Sequence, residues 1–138
     1  MFLHGGWLHL GMNVLMLVAF GAGIERVVSK GDFLNIFFLS GLIGAAAQFM
    51  LDPASTIPMV GASGAVSGFF GAILIIMQRN GQLGMSARLW PFILLWVGIS
   101  VLFGLMGSPV GGDDYANIAW AAHLGGFFVG LGFAKYRL

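Results

Sequence analysis

Apolar residues follow one another in five long runs that are separated by short polar stretches. The runs cover residues 6–24, 33–51, 63–78, 89–107 and 117–134. A helix of about 20 apolar residues crosses the hydrocarbon core of a bilayer, which is about 30 Å thick. Each run therefore predicts one transmembrane helix, although the third is short and glycine-rich and is assigned partly from its neighbours. The pattern predicts an all-α fold, a polytopic bundle of five spans that forms a single membrane domain over residues 1–138.

The composition supports lipid as the solvent of this chain. Hydrophobic residues make up 59% of the 138 positions and charged residues only 8%, whereas a soluble domain carries about 25% charged residues. Many of the 23 glycines lie inside the apolar runs, a pattern that in membranes favours close helix packing. The absence of cysteine excludes disulfides and thiolate metal sites. A net charge of +1 gives no sign of nucleic-acid binding.

The basic residues predict how the chain crosses the membrane. All six lie after the first run, after the third run or at the C-terminus, while the other two loops hold Asp52, Asp113 and Asp114. By the positive-inside rule the basic loops and the C-terminus are cytoplasmic. The N-terminus is then outside without a signal peptide to carry it there. This predicts a further helix upstream of Met1 and therefore an N-terminally truncated chain.

Four polar residues on three runs fall in one layer of the membrane. The first, third and fifth runs all start on the outer side, and His9, Asn13, Ser63 and His123 lie near those starts. His123 lies about two turns into the fifth run, about 9 Å down at about 1.5 Å of helix rise per residue. Polar residues inside a membrane are costly and suggest a functional site.

Two stripes of small residues predict which helices touch. They recur at every fourth position, as Gly64, Gly68 and Ala72 on the third run and as Ala122, Gly126, Gly130 and Ala134 on the fifth. Such stripes let two backbones approach closely, which would carry His123 next to Ser63. A serine beside a histidine is a minimal activated nucleophile, with the imidazole as general base. No acidic residue lies in this layer, so the prediction is a dyad rather than a triad.

Each of these residues also has a structural interpretation. Ser63 could be a helix N-cap, since serine is preferred there. His123 could be a packing residue that is hydrogen-bonded to a backbone carbonyl. Asn13 could be a hydrogen-bonding contact between helices. Gln48 is expected to be satisfied locally and is assigned no role.

A metal site and a cofactor are not predicted. His4 and His9 are five residues apart and do not share a helix face. Zinc requires three or four converging ligands, usually with a carboxylate or thiolate among them.

Three short motifs lie at the start of the first, third and fifth runs. They are H-x4-H-x3-N over residues 4–13, G-x-S-G over 61–64 and A-H-x-x-G-x-x-x-G over 122–130. In type, order and placement they resemble the rhomboid family of intramembrane serine proteases. The resemblance covers nearly the whole chain, from the family's second transmembrane helix to its sixth, with the first helix and the following loop missing.

The resemblance implies a role for each motif residue. Ser63 matches the catalytic nucleophile and His123 its general base. His9 and Asn13, together with the backbone N–H of Ser63, match the oxyanion hole, and Gly61 opens the nucleophile motif. The remaining positions, which match structural residues, are His4, Gly64, Gly126 and Gly130.

The resemblance also implies a substrate and a location. The substrates would be transmembrane helices of other membrane proteins, cut near the outer face. The setting would be a bacterial plasma membrane, with a mitochondrial inner membrane as the alternative. One departure is Ser67, where the family often has a large aromatic residue stacked on the base histidine.

Two other functions stay open. A catalytically inactive relative would bind client helices, but such relatives typically lack the serine or the histidine. A transporter or channel would need polar residues through the cytoplasmic leaflet, and here they stop in the outer half. The oligomeric state is not predicted.

Overall fold

The protein folds into α-helices alone over the residues that its computed structural model describes. Those residues are 1–56, 58–82, 89–106 and 119–138, with side chains as far as residue 102 in the third segment. The helices are α1 (Trp7–Glu25), α2 (Lys30–Leu51), α3 (Ser63–Arg79), α4 (Trp90–Met106) and α5 (Trp120–Tyr136). The predicted all-α fold is confirmed. Residues 117–118 of the fifth apolar run, and Asp113 and Asp114, lie outside the described residues.

The helices differ in how clearly they qualify as membrane spans. Helices α1 and α2, with 19 and 22 residues, are long and apolar enough to cross a bilayer. Helices α3, α4 and α5 have 17 residues each, at the short end of the usual range of about 17–25. The outer surface of the bundle exposes large apolar side chains, for example Leu15 of α1, Phe49 of α2 and Leu94 of α4. A surface of this kind suits contact with lipid.

Helix α2 begins three residues before the apolar run that predicted it. The hydroxyl of Ser29 accepts the backbone N–H of Asp32 at 3.1 Å and donates to the Asp32 carboxylate at 2.7 Å. A serine at this position satisfies one of the N–H groups that a helix start leaves without a partner. The polar cap, rather than the apolar pattern, therefore sets this boundary.

Helix α3 lies at the centre of the bundle. It packs most extensively against α5 and also contacts α2 and α1. Phe69 of α3 is fully buried, with its ring centroid 4.6 Å from that of Phe33 and 5.8 Å from that of Phe37 on α2. Helix α4 lies at the edge, where Trp96 contacts Phe70 of α3 at 4.8 Å between ring centroids.

Helices α3 and α5 touch backbone to backbone. A Cβ atom placed on Gly126 would overlap the carbonyl oxygen of Gly64, and one on Gly130 would overlap that of Gly68. Only glycine allows helices to come this close. The predicted packing of the two small-residue stripes is thus confirmed.

Charged groups gather at one end of the bundle. The Arg79 guanidinium donates from Nη2 to the carbonyl of Lys135 at 2.7 Å, and Nε of Arg137 lies 3.8 Å from the Asp32 carboxylate. The starts of α1, α3 and α5 lie at the opposite end. This is the charge distribution from which the positive-inside rule predicts a cytoplasmic end.

The contact between α3 and α5 predicts a sharp difference between two glycines of α5. Gly130→Ala should lower the free energy of unfolding by about 3 kcal/mol, because a methyl group there overlaps a backbone that cannot move aside. Gly132→Ala should be neutral or slightly stabilising, since a Cβ there meets nothing within 4 Å and alanine favours helix. Unfolding in detergent, followed by circular dichroism, measures both. Equal stability of the two variants would contradict the close contact.

Candidate active site

Ser63 and His123 meet across the interface between α3 and α5. Oγ of Ser63 lies 2.7 Å from Nε2 of His123. Ala62 occupies the N-cap position of α3 and makes no side-chain capping hydrogen bond. The alternative of Ser63 as an N-cap is therefore wrong, and its hydroxyl is directed to the histidine instead.

The neighbours of these two residues explain why they can meet. Gly64 follows Ser63, and Ala122 precedes His123. A Cβ placed on Gly64 would lie 3.2 Å from the carbonyl oxygen of Ala122, closer than nine in ten real Cβ contacts. An alanine at position 64 would therefore require its neighbours to shift by a few tenths of an ångström at the level of the histidine.

Gly61 forms the turn that leads into α3. Its φ of 101° lies in the left-handed region, which other residues enter only with strain. Its N–H donates to the carbonyl of Leu3 at 2.7 Å, which joins the N-terminal segment to the loop before Ser63. A Cβ on Gly61 would lie 2.8 Å from Nε2 of His9. The glycine thus leaves space for the imidazole beside the loop.

His9 presents an N–H to this loop. The backbone N–H of Gly5 donates to Nδ1 of His9 at 3.3 Å. A neutral imidazole with an acceptor at Nδ1 carries its proton on Nε2, the nitrogen that faces Gly61. The ring of His4 packs edge-on against that of His9, with centroids 5.4 Å apart. His4 precedes α1 and contributes to the site through this packing.

Asn13 lies one turn further along α1 and is buried. Its amide nitrogen Nδ2 donates to the carbonyl of His9 at 2.9 Å, and because a carbonyl only accepts, this bond orients the amide. Nδ2 would lie 3.7 Å from a Cβ on Gly61, so its second N–H is close to the same loop. Among the described residues, Oδ1 is buried with no hydrogen-bond partner.

Ser67 is buried, and its hydroxyl bonds within its own helix. Its Oγ donates to the carbonyl of Ser63 at 2.7 Å, a bond from residue i to i−4 that serine commonly makes in helices. No ring contact to His123 occurs in the part of the chain that the structure describes. The backbone packing of α5, rather than a stacked aromatic, sets the position of the histidine there.

Gln48 contacts the site region, although the sequence pattern predicted no role for it. Its side-chain oxygen Oε1 accepts the backbone N–H of Ala121 at 3.2 Å. The interpretation of Gln48 as locally satisfied is wrong, because its partner lies on another helix. The sequence offers one sign of this contact, which is the depth of Gln48 in the membrane. Gln48 lies near the end of α2, at the level where α5 begins.

The three motifs and their geometry agree with the comparison to known proteins. A family model described as the Rhomboid domain matches residues 1–138. The chain belongs to the rhomboid family. Rhomboid proteins are membrane-embedded, in agreement with the apolar helices of this chain. No solved structure gives a significant match.

Several relatives are named as rhomboid proteases. The chain is 31% identical to the rhomboid protease GluP of Bacillus subtilis, over 94% of this chain and 23% of that protein. It is 32% identical to the putative rhomboid protease YdcA of the same organism, over 94% and 60% respectively. It is 31% identical to the rhomboid protease GlpG of Pectobacterium atrosepticum, over 94% and 43%. The chain thus spans less than two thirds of the length of each of these relatives.

The turn at Gly61 predicts a loss of Ser63 reactivity that a second turn glycine does not share. Gly61→Ala adds left-handed strain of about 1–2 kcal/mol and a methyl group against the His9 ring. Gly81→Ala adds similar strain at φ 69°, but a Cβ there meets nothing within 4 Å. We expect Gly61→Ala to abolish labelling of the protein by a fluorophosphonate probe and Gly81→Ala to retain it. Wild-type labelling of Gly61→Ala would contradict the role assigned to this turn.

Proposed function

We propose that this protein is an intramembrane serine endopeptidase with Ser63 as nucleophile and His123 as general base. The observation that carries the proposal is the 2.7 Å separation of Ser63 Oγ and His123 Nε2 on two different helices. Membership in a family whose relatives include named proteases supports it. Among the described residues no carboxylate is hydrogen-bonded to His123, which favours a dyad.

The proposed reaction proceeds in two steps. Oγ of Ser63 attacks the substrate carbonyl carbon while its proton passes to Nε2 of His123, which requires the tautomer protonated on Nδ1. The tetrahedral intermediate collapses, the C–N bond breaks and the imidazolium protonates the leaving amine. Water, deprotonated by the same imidazole, then hydrolyses the acyl-enzyme and regenerates Ser63.

Three donors from two elements would stabilise the oxyanion. Ser63 is the first residue of α3, so its backbone N–H has no acceptor within the helix. Nε2 of His9 and Nδ2 of Asn13 both lie beside Gly61, two residues before Ser63. Donors held in place before the reaction cost little reorganisation when charge develops.

The substrates in this proposal are transmembrane helices of other membrane proteins. A helix hides its carbonyls in hydrogen bonds, so a substrate must unwind locally before Ser63 can attack. We therefore propose cleavage at small residues next to helix-breaking ones, near the outer face. The basic residues at the opposite end of the bundle favour a cytoplasmic C-terminus, and the Bacillus relatives favour a bacterial plasma membrane.

Replacement of either dyad residue tests the proposal directly. Ser63→Ala and His123→Ala should abolish cleavage of a reporter transmembrane helix, with a loss of up to roughly 10⁶-fold as for the nucleophile of other serine proteases. Ser63→Ala should also remove fluorophosphonate labelling. Ser40→Ala is the matched control, since it removes a buried serine hydroxyl that has no hydrogen-bond partner among the described residues.

The outcomes separate catalysis from client binding. Cleavage that survives Ser63→Ala would exclude Ser63 as the nucleophile. A wild-type protein that binds reporter helices but neither cleaves them nor reacts with the probe would favour the catalytically inactive alternative.

The proposed oxyanion hole predicts a kinetic effect at Asn13. Asn13→Ala should lower kcat by about 10²–10³-fold, or about 2.7–4 kcal/mol, because one donor to the developing charge is lost. KM should change little, since the interaction forms in the transition state. Asn35→Ala, on the exposed face of α2, is the control. A kcat within twofold of wild type would remove Asn13 from the oxyanion hole.

A further inference from the structure

We propose that Gln48 is a positioning residue that holds the first turn of α5, and through it His123, in register with Ser63. The inference rests on the proposed function, in which His123 is the general base. Gln48 lies on α2, and among the described residues its side chain is hydrogen-bonded to neither Ser63 nor His123. Its one identified side-chain hydrogen bond is to the N–H of Ala121, two residues before the histidine, at 3.2 Å.

The start of α5 needs an acceptor from outside the helix. The first N–H groups of a helix have no partner within it, and no side chain at the N-cap residue Ala119 supplies one. The carbonyl of Ala119 accepts the N–H groups of Ala122 and His123 at 3.0 and 3.3 Å. Ala121, which is nearly fully buried, finds its acceptor on Gln48. An N–H group left without a partner in apolar surroundings is strongly unfavourable, so this bond is strongly favoured.

Helix α2 meets α5 along a smooth face next to this bond. A Cβ on Gly44, one turn before Gln48, would lie 2.5 Å from the carbonyl oxygen of Ala122, and one on Gly125 would lie 3.0 Å from Cβ of Ala47. Contacts between small residues set the distance between two helices but are not directional. A hydrogen bond is directional, so the Gln48 amide supplies the constraint along the helix axis that the glycine contacts lack.

Axial register matters because the proposed dyad is a single short contact. A displacement of about 1 Å in a catalytic group can lower a rate by about 100-fold. In the described residues His123 has neither a carboxylate partner nor a stacked ring to correct such a shift. Loss of the Gln48 acceptor should therefore slow the reaction of Ser63 without changing how the reactant binds.

The test compares variants at the two ends of α5. Gln48→Met keeps nearly the same side-chain length but removes the acceptor. Gln48→Glu retains an acceptor oxygen, and a carboxylate is favourable at a helix start. Arg79→Met is the matched control, since it removes a side-chain hydrogen bond to the backbone of the same helix at Lys135, far from His123. Gln48→Asn, which withdraws the oxygen by one methylene, replaces Gln48→Met if that variant does not fold.

The measurement is the rate of fluorophosphonate reaction with Ser63, resolved into a maximal rate and a half-saturating probe concentration. Each variant is compared below its own unfolding temperature. We expect Gln48→Met to lower the maximal rate by about tenfold at an unchanged half-saturating concentration. Gln48→Glu should stay within threefold of wild type, and Arg79→Met should match wild type.

Several results would overturn the inference. One is a wild-type maximal rate in folded Gln48→Met, and another is a Gln48→Glu variant as slow as Gln48→Met. A third is an equal loss in Gln48→Met and Arg79→Met that follows their lost thermal stability. Failure of the proposed function is distinct, since it would appear as equal labelling of wild type and Ser63→Ala whatever the Gln48 variants do.

Discussion

The backbone contact between α3 and α5 is the constraint on which the rest of the structure depends. Within lipid no hydrophobic effect draws two helices together, so association relies on dispersion contacts and on hydrogen bonds. Gly64 and Gly68 provide the surface on α3, and Gly126 and Gly130 provide it on α5. The distance between Ser63 Oγ and His123 Nε2 depends on this contact, because both residues lie at one end of it.

Helix α2 stabilises this pair of helices from one side. Ser40 packs against Gly68 of α3, and Gly44 packs against the backbone of α5 at Ala122. Helix α2 therefore contacts both helices through small residues. Helix α1 packs mainly on α3 and brings His9 and Asn13 to the loop at Gly61. The proposed nucleophile and base thus depend on one set of contacts, and the proposed oxyanion donors depend on another.

Much of the helix arrangement could be predicted from the sequence, because it depends on which types of residue occupy which positions. Apolar runs mark helices in lipid, and small residues at every fourth position mark the faces that touch. The features that could not be predicted involve the backbone. The partner of Gln48 is the N–H of Ala121, a group that every residue except proline carries and that no pattern marks. The hydroxyl of Ser67 likewise bonds to a carbonyl of its own helix, so its residue type alone said little about its role.

The bond at Ser67 also explains how a small residue can occupy this position. In the family a large aromatic residue there often stacks on the base histidine. A serine that bonds to the Ser63 carbonyl fills little space and leaves the helices free to approach. The orientation of His123 must then come from the side-chain rotamer and from the placement of α5. The proposed base is therefore oriented through its backbone. The imidazole of His123 can be positioned against Ser63 only as precisely as α5 is packed in the bundle.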